Sequence, residues 1–348
     1  MPNPVLTAAV DHIASGRDLS TRESADVLRE VMEGRASEVQ TAAFLIALRA
    51  KGETVEELTG LAQTMRDLSL YVEVAPAVAG DGLLDTAGTG GGRPTFNVST
   101  TAALVAAGAG CRVAKHGNRS STGLSGSADL LEALGARIDL APAAIAQCVE
   151  ECGFGFMFAP LHHAAMRHVG PVRSELAVRT IFNFLGPITN PAGAERQVIG
   201  VSDPAYLDVV AGALAALGGS HALVVSSEDG LDEISVSSPT RAVELRGGER
   251  RHLRIVAEEL GVRTEPPEAL GAGTPERNAE IARAVLGGRP GPERSVTVLN
   301  AGAAIYVGGR AEDLTSGVRA AEEAIDSGAG IAVLERYVEA TRRLGPAS

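Results

Sequence analysis

The chain is predicted to be an α/β protein: a small all-helical domain plus a larger domain with a mostly parallel β-sheet flanked by helices. Three observations carry that prediction. Residues 4 to about 72 show only helical periodicity, with apolar residues three and four apart. From about residue 80, strand-like apolar runs alternate with helix-length segments, the pattern of parallel strands covered by helices. The 348 residues are long for one hydrophobic core, so two unequal units are expected. The expected division is 1–75, completed by about 161–190, against 76–160 with 191–348.

In chain order, Ser20 with Glu23 and Thr54 with Glu57 form capping-box patterns that open helices. Between them, ESADVLREVMEGR and SEVQTAAFLIALRAKG carry one apolar stripe each. LLDTAG reads as a strand entering a glycine loop, NVSTTAALVAAGAG as a helix, and CRVAKHGN as a second strand entering a loop. SADLLEALG, opened by Ser127 and closed by Gly135, is a helix, as is PAAIAQCVEECG, with Pro142 early and Gly153 late. FGFMFAP is a short buried strand. LHHAAMRHVGPVRSELAVRTIFNFLG reads as helical until GPITNP breaks it. QVIGV, HALVVSS and RAVELR return to strand character, with the helix PAYLDVVAGALAALG between the first two. The last third is helix-rich and ends on ERYVEATRRLG, whose arginines suit a helix C-terminus. RTEPPEALGAGTPERN is expected to be an exposed loop.

Composition excludes several classes. The net charge is −12 with no basic tail, against a nucleic-acid partner. No apolar run approaches the ~20 residues that span a bilayer, so no membrane partner is expected. The N-terminus lacks a positive leader and carries Asp11, unlike a secretory signal. Three cysteines make no disulfide framework. Cys148 and Cys152 are four apart, but no His or Cys follows at zinc-finger spacing, so they read as small apolar residues. A reducing, cytoplasmic setting is expected.

Chemistry concentrates in three stretches. Four of the five residues Gly88–Gly92 are glycine, between a strand and a helix. Free backbone N–H groups there make an anion site that the following helix dipole strengthens. Asn97, Ser99 and Thr100 add an amide and two hydroxyls that can cap the helix, bind phosphate or hold a metal. Neither a P-loop nor a dinucleotide fingerprint is present. The second stretch, KHGNRSSTGLSGSADLL, offers cations, a histidine, an amide and hydroxyls after the next strand. Two such loops at one sheet edge describe a ligand with more than one phosphate. The third, SSEDGLDEIS, sets Asp232 beside Glu233, either as an acidic surface turn or as hard oxygen ligands for the Mg2+ that accompanies a diphosphate.

DTAGTGGGRPTFNVST, KHGNRSSTGLSGSADLLEALG, PVRSELAVRTIFNFLGPITNPA and DGLDEIS, in this order and spacing, resemble the anthranilate phosphoribosyltransferase family across essentially the whole chain. The resemblance implies a pentosyltransferase of tryptophan biosynthesis that joins anthranilate to 5-phosphoribosyl 1-diphosphate (PRPP), and a homodimer formed through the helical domain. It places PRPP on Gly88, Gly91, Gly92, Thr95, Asn97, Val98, Ser99 and Thr100, then on Lys115, His116, Gly117, Asn118, Arg119, Ser120, Ser121, Thr122 and Gly123, and on Ser127. It places anthranilate on Gly88, Asn118 and Arg173, and Mg2+, two ions per subunit, on Ser99, Asp232 and Glu233. Lys115, Asn118 and Arg173 are the implied catalytic residues. No residue pattern speaks to an amidotransferase subunit.

Loss of diphosphate develops negative charge on the leaving group, so catalysis needs electrostatic stabilisation and placement of the nucleophile. The amine of anthranilate is neutral at pH 7 and needs no strong base. Arg173 can pair its carboxylate through two parallel hydrogen bonds. The family pattern usually carries Asp after GTGG; here Gly92 replaces it and the stretch to TFN is one residue shorter. A changed KM for PRPP is expected, with Arg93 adding positive charge near the diphosphate. Two rivals remain: a pyrimidine nucleoside phosphorylase, opposed by Arg173 and the Asp232–Glu233 pair, and a non-catalytic nucleic-acid-binding relative, opposed by the acidic charge.

Overall fold

Helices α1 (Pro4–Ala14), α2 (Thr21–Met32), α3 (Glu38–Lys51) and α4 (Val55–Asp67) open the chain. The computed structural model describes residues 1–80, 82–120 and 123–345. Both capping boxes form: the Ser20 and Thr54 side chains accept from the Glu23 and Glu57 amides, and both glutamates reach back to the cap amide. Buried Glu57 also accepts from Leu19 N and Lys51 Nζ. α2 and α4 cross so closely that a Cβ on Gly60 would overlap Thr21 O.

The α/β part follows as α5 (Pro76–Ala79), β1 (Leu83–Gly88), α6 (Val98–Gly108), β2 (Arg112–Gly117), α7 (Ser127–Ala133), α8 (Pro142–Cys152) and β3 (Phe154–Phe158). The chain then runs through α9 (Ala159–His162), a 3-10 turn (Ala164–His168), α10 (Gly170–Leu176) and α11 (Phe182–Ile188). It returns as β4 (Arg196–Gly200), α12 (Leu207–Ala216), β5 (His221–Ser227), β6 (Thr240–Arg246) and β7 (Glu249–Ile255). Helices α13 (Pro275–Leu286), α14 (Pro292–Val307), α15 (Leu314–Asp326) and α16 (Ala329–Leu344) complete it.

Strand order is β3-β2-β1-β4-β5-β6-β7, parallel from β3 to β5 and antiparallel from β5 to β7. The order reverses between β1 and β4. Loops leaving the carboxyl ends of these two strands diverge and leave a crevice there. The sequence reading missed β7. Its stretch ERRHLRI is exposed along most of its length, so no apolar alternation marks it, and its charges guard an open sheet edge. Residues 161–190 form short pieces instead of a continuous helix, because Pro171 starts a new helix and Ala177 ends it in the left-handed conformation (φ 51°).

Two apolar cores result. One lies between α6, α14, α16 and one sheet face, holding Leu104, Val113, Leu223, Leu299 and Tyr337. The other begins in the helical bundle and continues through Phe184 and Leu185 of α11 and Val210 of α12 onto Ile199, Val224 and Val243 on the second face. Arg66 ties α4 to α11 and to the end of α12 within this second core, donating to Ile188 O at 2.7 and 3.0 Å and to Leu217 O at 3.1 Å. Among the described residues, no helix is long and apolar enough to cross a membrane. The three cysteines are buried and unbridged, and burial pushes the Cys148 thiol up to about 12.

Candidate active site

The glycine loop leaves β1 at the point where the strand order reverses, and an acidic loop from β5 packs directly on it. Gly200, the last residue of β4, lets that packing occur: a Cβ there would overlap Asp232 O. Gly90 N–H donates to Asp232 Oδ2 at 2.8 Å, and Arg93 N–H donates to Gly230 O at 2.7 Å. Close approach explains the glycines. A Cβ on Gly88 would stand 2.6 Å from Asp232 Oδ2, one on Gly92 2.6 Å from Gly230 O, and one on Gly91 (φ 78°) would overlap Arg179 Nη1. The bare backbone therefore accommodates the protein's own carboxylate and guanidinium. Among the described residues, the Gly91 and Gly92 N–H groups have no hydrogen-bond acceptor, so they remain available to a ligand.

Asp232 and Glu233 lie half-buried in the bend after β5, turned against the glycine loop rather than free on a surface turn. Asn300 of α14 grips the adjacent residue, accepting from Ile234 N and donating to Ile234 O, both at 2.9 Å. Burial raises the pKa of Asp232, with partial relief from Gly90 N–H. Burial and then the Asp232 charge push Glu233 well up, eased by a hydrogen bond from Ser99 N. Glu233 Oε2 is buried without a partner. A cavity of about 20 Å3 touches Thr86, Ser99, Gly200, Asp232, Glu233 and Asn300, about the volume one water-sized occupant needs. Two desolvated carboxylates, an orphaned oxygen and a hydroxyl fit a divalent, oxygen-preferring cation. No cluster of three or more His, Cys, Asp or Glu that could hold a metal occurs among the described residues, so further ligands would come from substrate or water.

The second loop is also built from beneath. Lys115 is 2% exposed, and its ammonium donates to Thr86 O and to Thr86 Oγ1 at 3.3 Å. Burial lowers its pKa, while Asp85 and Glu233 hold the charge in place. Lys115 thus lies under the site floor and is not an exposed cation. Asp85 accepts from His116 N at 3.1 Å and from Asn190 Nδ2 at 2.7 Å, and burial raises it to about 6 against the pull of Lys115. The His116 ring meets Gly186 O at 3.0 Å through Nδ1 and lies 5.1 Å from the His163 ring. His116 Nε2 and both His163 ring nitrogens are buried without partners.

Other expected residues are less directly placed. Arg119 is committed to Asp129 and Glu132 at 2.8 and 2.5 Å, which raise its pKa, so its side chain is turned to α7. Asn118 Oδ1 accepts from Arg119 N, and Ser127 Oγ donates to Asn118 O at 3.2 Å. Ser120 Oγ accepts from Gly123 N. Gly117 packs under Ser127 and Phe156. Asn97 does not cap α6; it bonds Ser125 and Asn278 instead. Thr95 Oγ1 donates to Phe96 O, Val98 is fully buried, and Thr100 Oγ1 is buried without a partner. Ser121 and Thr122 lie outside the described residues. Arg173 sits on α10 in the helical unit, 5.6 Å over the Phe182 ring; its guanidinium has no hydrogen-bonding partner among the described residues, and burial lowers its pKa.

The expectation for Arg93 is corrected. Its guanidinium does not face the anion site: Nη2 pairs with Asp229 at 3.0 Å and Nη1 with Pro267 O, tying the shortened loop to its neighbours. Pro267 belongs to the segment read as a free surface loop, which therefore helps to hold the site together. Arg179, His163, Asp85 and Asn190 escaped the sequence reading. The charged Asp85 inside the apolar β1 run and the Asn190 of the chain-breaking TNP were the available signals; Arg179 had none. A wider cavity of about 510 Å3 lies at the opposite sheet edge, between Arg196, His221, Arg246 and Tyr306, away from both loops and from the acidic pair.

Fold and site together define a glycosyl transferase built from a helical bundle and an α/β domain. Family models described as "Glycosyl transferase family, helical bundle domain" and "Glycosyl transferase family, a/b domain" match residues 7–69 and 80–331. The anthranilate phosphoribosyltransferase of Rubrobacter xylanophilus is 50% identical over 98% of each chain. That of Thermus thermophilus superposes with a TM-score of 0.90 at 44% identity, over 96% of this chain and 99% of its own. The Saccharomyces cerevisiae enzyme, in complex with PRPP and Mg, gives 0.88 at 27% identity over 97% and 98%. The chain belongs to the anthranilate phosphoribosyltransferase family.

Proposed function

We propose that this chain transfers the 5-phosphoribosyl group of PRPP to the amine of anthranilate with release of diphosphate, in tryptophan biosynthesis. The observation that carries the reading is the half-buried Asp232–Glu233 pair, with Glu233 Oε2 buried and unpartnered, packed against a glycine loop that has two free amides. Ser99, Asp232 and Glu233 would hold Mg2+, in this reading two ions, and the metal would supply positive charge for the leaving diphosphate; the yeast complex with PRPP and Mg supports Mg2+ itself.

This chain's own residues bind and orient. The Gly91 and Gly92 N–H groups receive phosphate oxygens beside the α6 N-terminus, and the main chain of the 115–123 loop and Ser127 takes the rest of PRPP. Buried Lys115 adds positive potential from beneath, where low polarisability makes it count for more than at a surface. Arg173, half-buried and free of acidic partners, takes the anthranilate carboxylate, while Asn118 and the His116–His163 wall bound the acceptor. No general base is required.

Association is proposed through the helical unit, where Val39 (79% exposed) and Ile46 (40%) lie two turns apart on α3 and Val5 projects from α1. A cytoplasmic setting fits this chemistry. The test is loss of anthranilate fluorescence on adding PRPP and Mg2+, repeated with EDTA and with thymidine plus phosphate. Consumption only with PRPP and Mg2+ supports the transferase. Thymidine phosphorolysis, or no consumption in any arm, overturns it.

A further inference from the structure

Arg179 stands between α10 and α11, yet its side chain works on the glycine loop across the cleft. Nη1 donates to Gly90 O and Nη2 to Thr89 O at 3.5 Å. Its own main chain is anchored within the helical unit, where Arg49 of α3 donates to Arg179 O at 2.9 Å. The turn around it is fixed on both sides. Ala177 is the one non-glycine residue with positive φ among those described, and Thr180 N donates to Asn183 Oδ1 at 3.0 Å.

That grip has a geometric consequence. In a planar trans peptide the carbonyl and the following N–H point in opposite directions. Holding Gly90 O against Arg179 therefore fixes the direction of Gly91 N–H, one of the two free amides of the loop. Glycine at 91 is needed twice: for its positive φ, and because a Cβ would occupy the guanidinium's place. Gly90 N–H is meanwhile committed to Asp232, so the loop is clamped from the helical side by a cation and from the α/β side by a carboxylate.

We propose that Arg179 is a positioning residue for the diphosphate of PRPP: acting from the helical unit, it orients the Gly91 amide through the Gly90 carbonyl. The anion site is then complete only when the two halves of the cleft stand as they do here. A planar fork can hold two successive carbonyls, which a single ammonium cannot do as well. The proposal rests on the transferase reading above.

The experiment compares wild type, Arg179→Ala and Arg179→Lys by calorimetric titration with PRPP plus Mg2+ and with diphosphate plus Mg2+, alongside steady-state kinetics and thermal melts. Arg179→Ala is expected to weaken binding of both phosphate ligands about tenfold or more, with anthranilate KM held within about twofold. Arg179→Lys recovers part of the loss. Unchanged PRPP affinity in Arg179→Ala overturns the proposal. So does equal weakening of PRPP and anthranilate together with a lowered Tm, the mark of general loosening. A wild type that binds PRPP while the variants match it sinks this inference alone; a wild type that binds none sinks the transferase reading with it.

Discussion

At the scale of single residues, the site stores unfavourable electrostatics for a ligand to relieve. Glu233 stands beside a like charge with one oxygen buried and unpartnered, so Glu233→Gln removes a cost from the unliganded protein. Its Tm without Mg2+ is expected to rise, while the Mg2+ concentration for half-maximal activity rises at least about tenfold. A lowered Tm with an unchanged Mg2+ requirement would refute that account. Histidines supply a separate acid sensitivity. Burial, and then the neighbouring His162, pushes His163 down to about 4, and burial lowers His116 and His162 as well. The unfolded chain titrates near 6.5, so stability is complete above that pH and is lost as pH falls toward 4. His163 alone accounts for about 3 kcal/mol of that loss. Urea midpoints between pH 7 and 4.5 should fall less steeply in His163→Gln than in wild type; equal slopes would remove His163 as a cause.

At the scale of elements, the glycine loop, the acidic loop and the end of β4 form one packed unit. Gly200→Ala pushes on Asp232 O and displaces the carboxylate pair. PRPP KM is expected to rise about tenfold or more for what is formally one methyl group, since misplaced catalytic groups cost heavily. A KM within twofold of wild type would show that the loop adapts. Gly92 behaves differently from what its family position suggests. A Cβ there meets Gly230 O at 2.6 Å and Asp232 Oδ1 at 2.9 Å, and a carboxylate would add a third negative charge to the pair. Gly92→Asp in this shortened loop is therefore expected to raise PRPP KM, and a lowered KM would reverse the argument. Arg93 and Asp229 hold the loop in the form that suits glycine.

At the scale of the whole molecule, function depends on the helical unit and the α/β part meeting across one cleft. The bundle core extends onto the sheet through α11 and α12, so the helical unit is seated rather than tethered. Arg66 and the Arg179–Gly90 contact cross that seat. The exposed stripe of Val39 and Ile46 is expected to bury itself against a second copy. Val39→Asp with Ile46→Asp should convert a dimer to a monomer in sedimentation velocity with the far-ultraviolet dichroism unchanged. An unaltered sedimentation coefficient would move the interface elsewhere.

Local chemistry was written in the chain itself. Capping boxes at Ser20 and Thr54, the Pro142 and Gly153 boundaries, the β1 and β2 runs and the order of the glycine, cationic and acidic loops depend on neighbours in sequence, where propensity and periodicity act. What packing across the sheet decides was not legible there. It turned Asp232 and Glu233 inward against the glycine loop, sank Lys115 beneath the floor and turned Arg119 to α7. It also drew Arg93 to Asp229 and brought Arg179 from another unit onto the loop. Each of those outcomes depends on which distant group fills a given space, and that is settled only when the helical unit and the α/β part close on the crevice between β1 and β4.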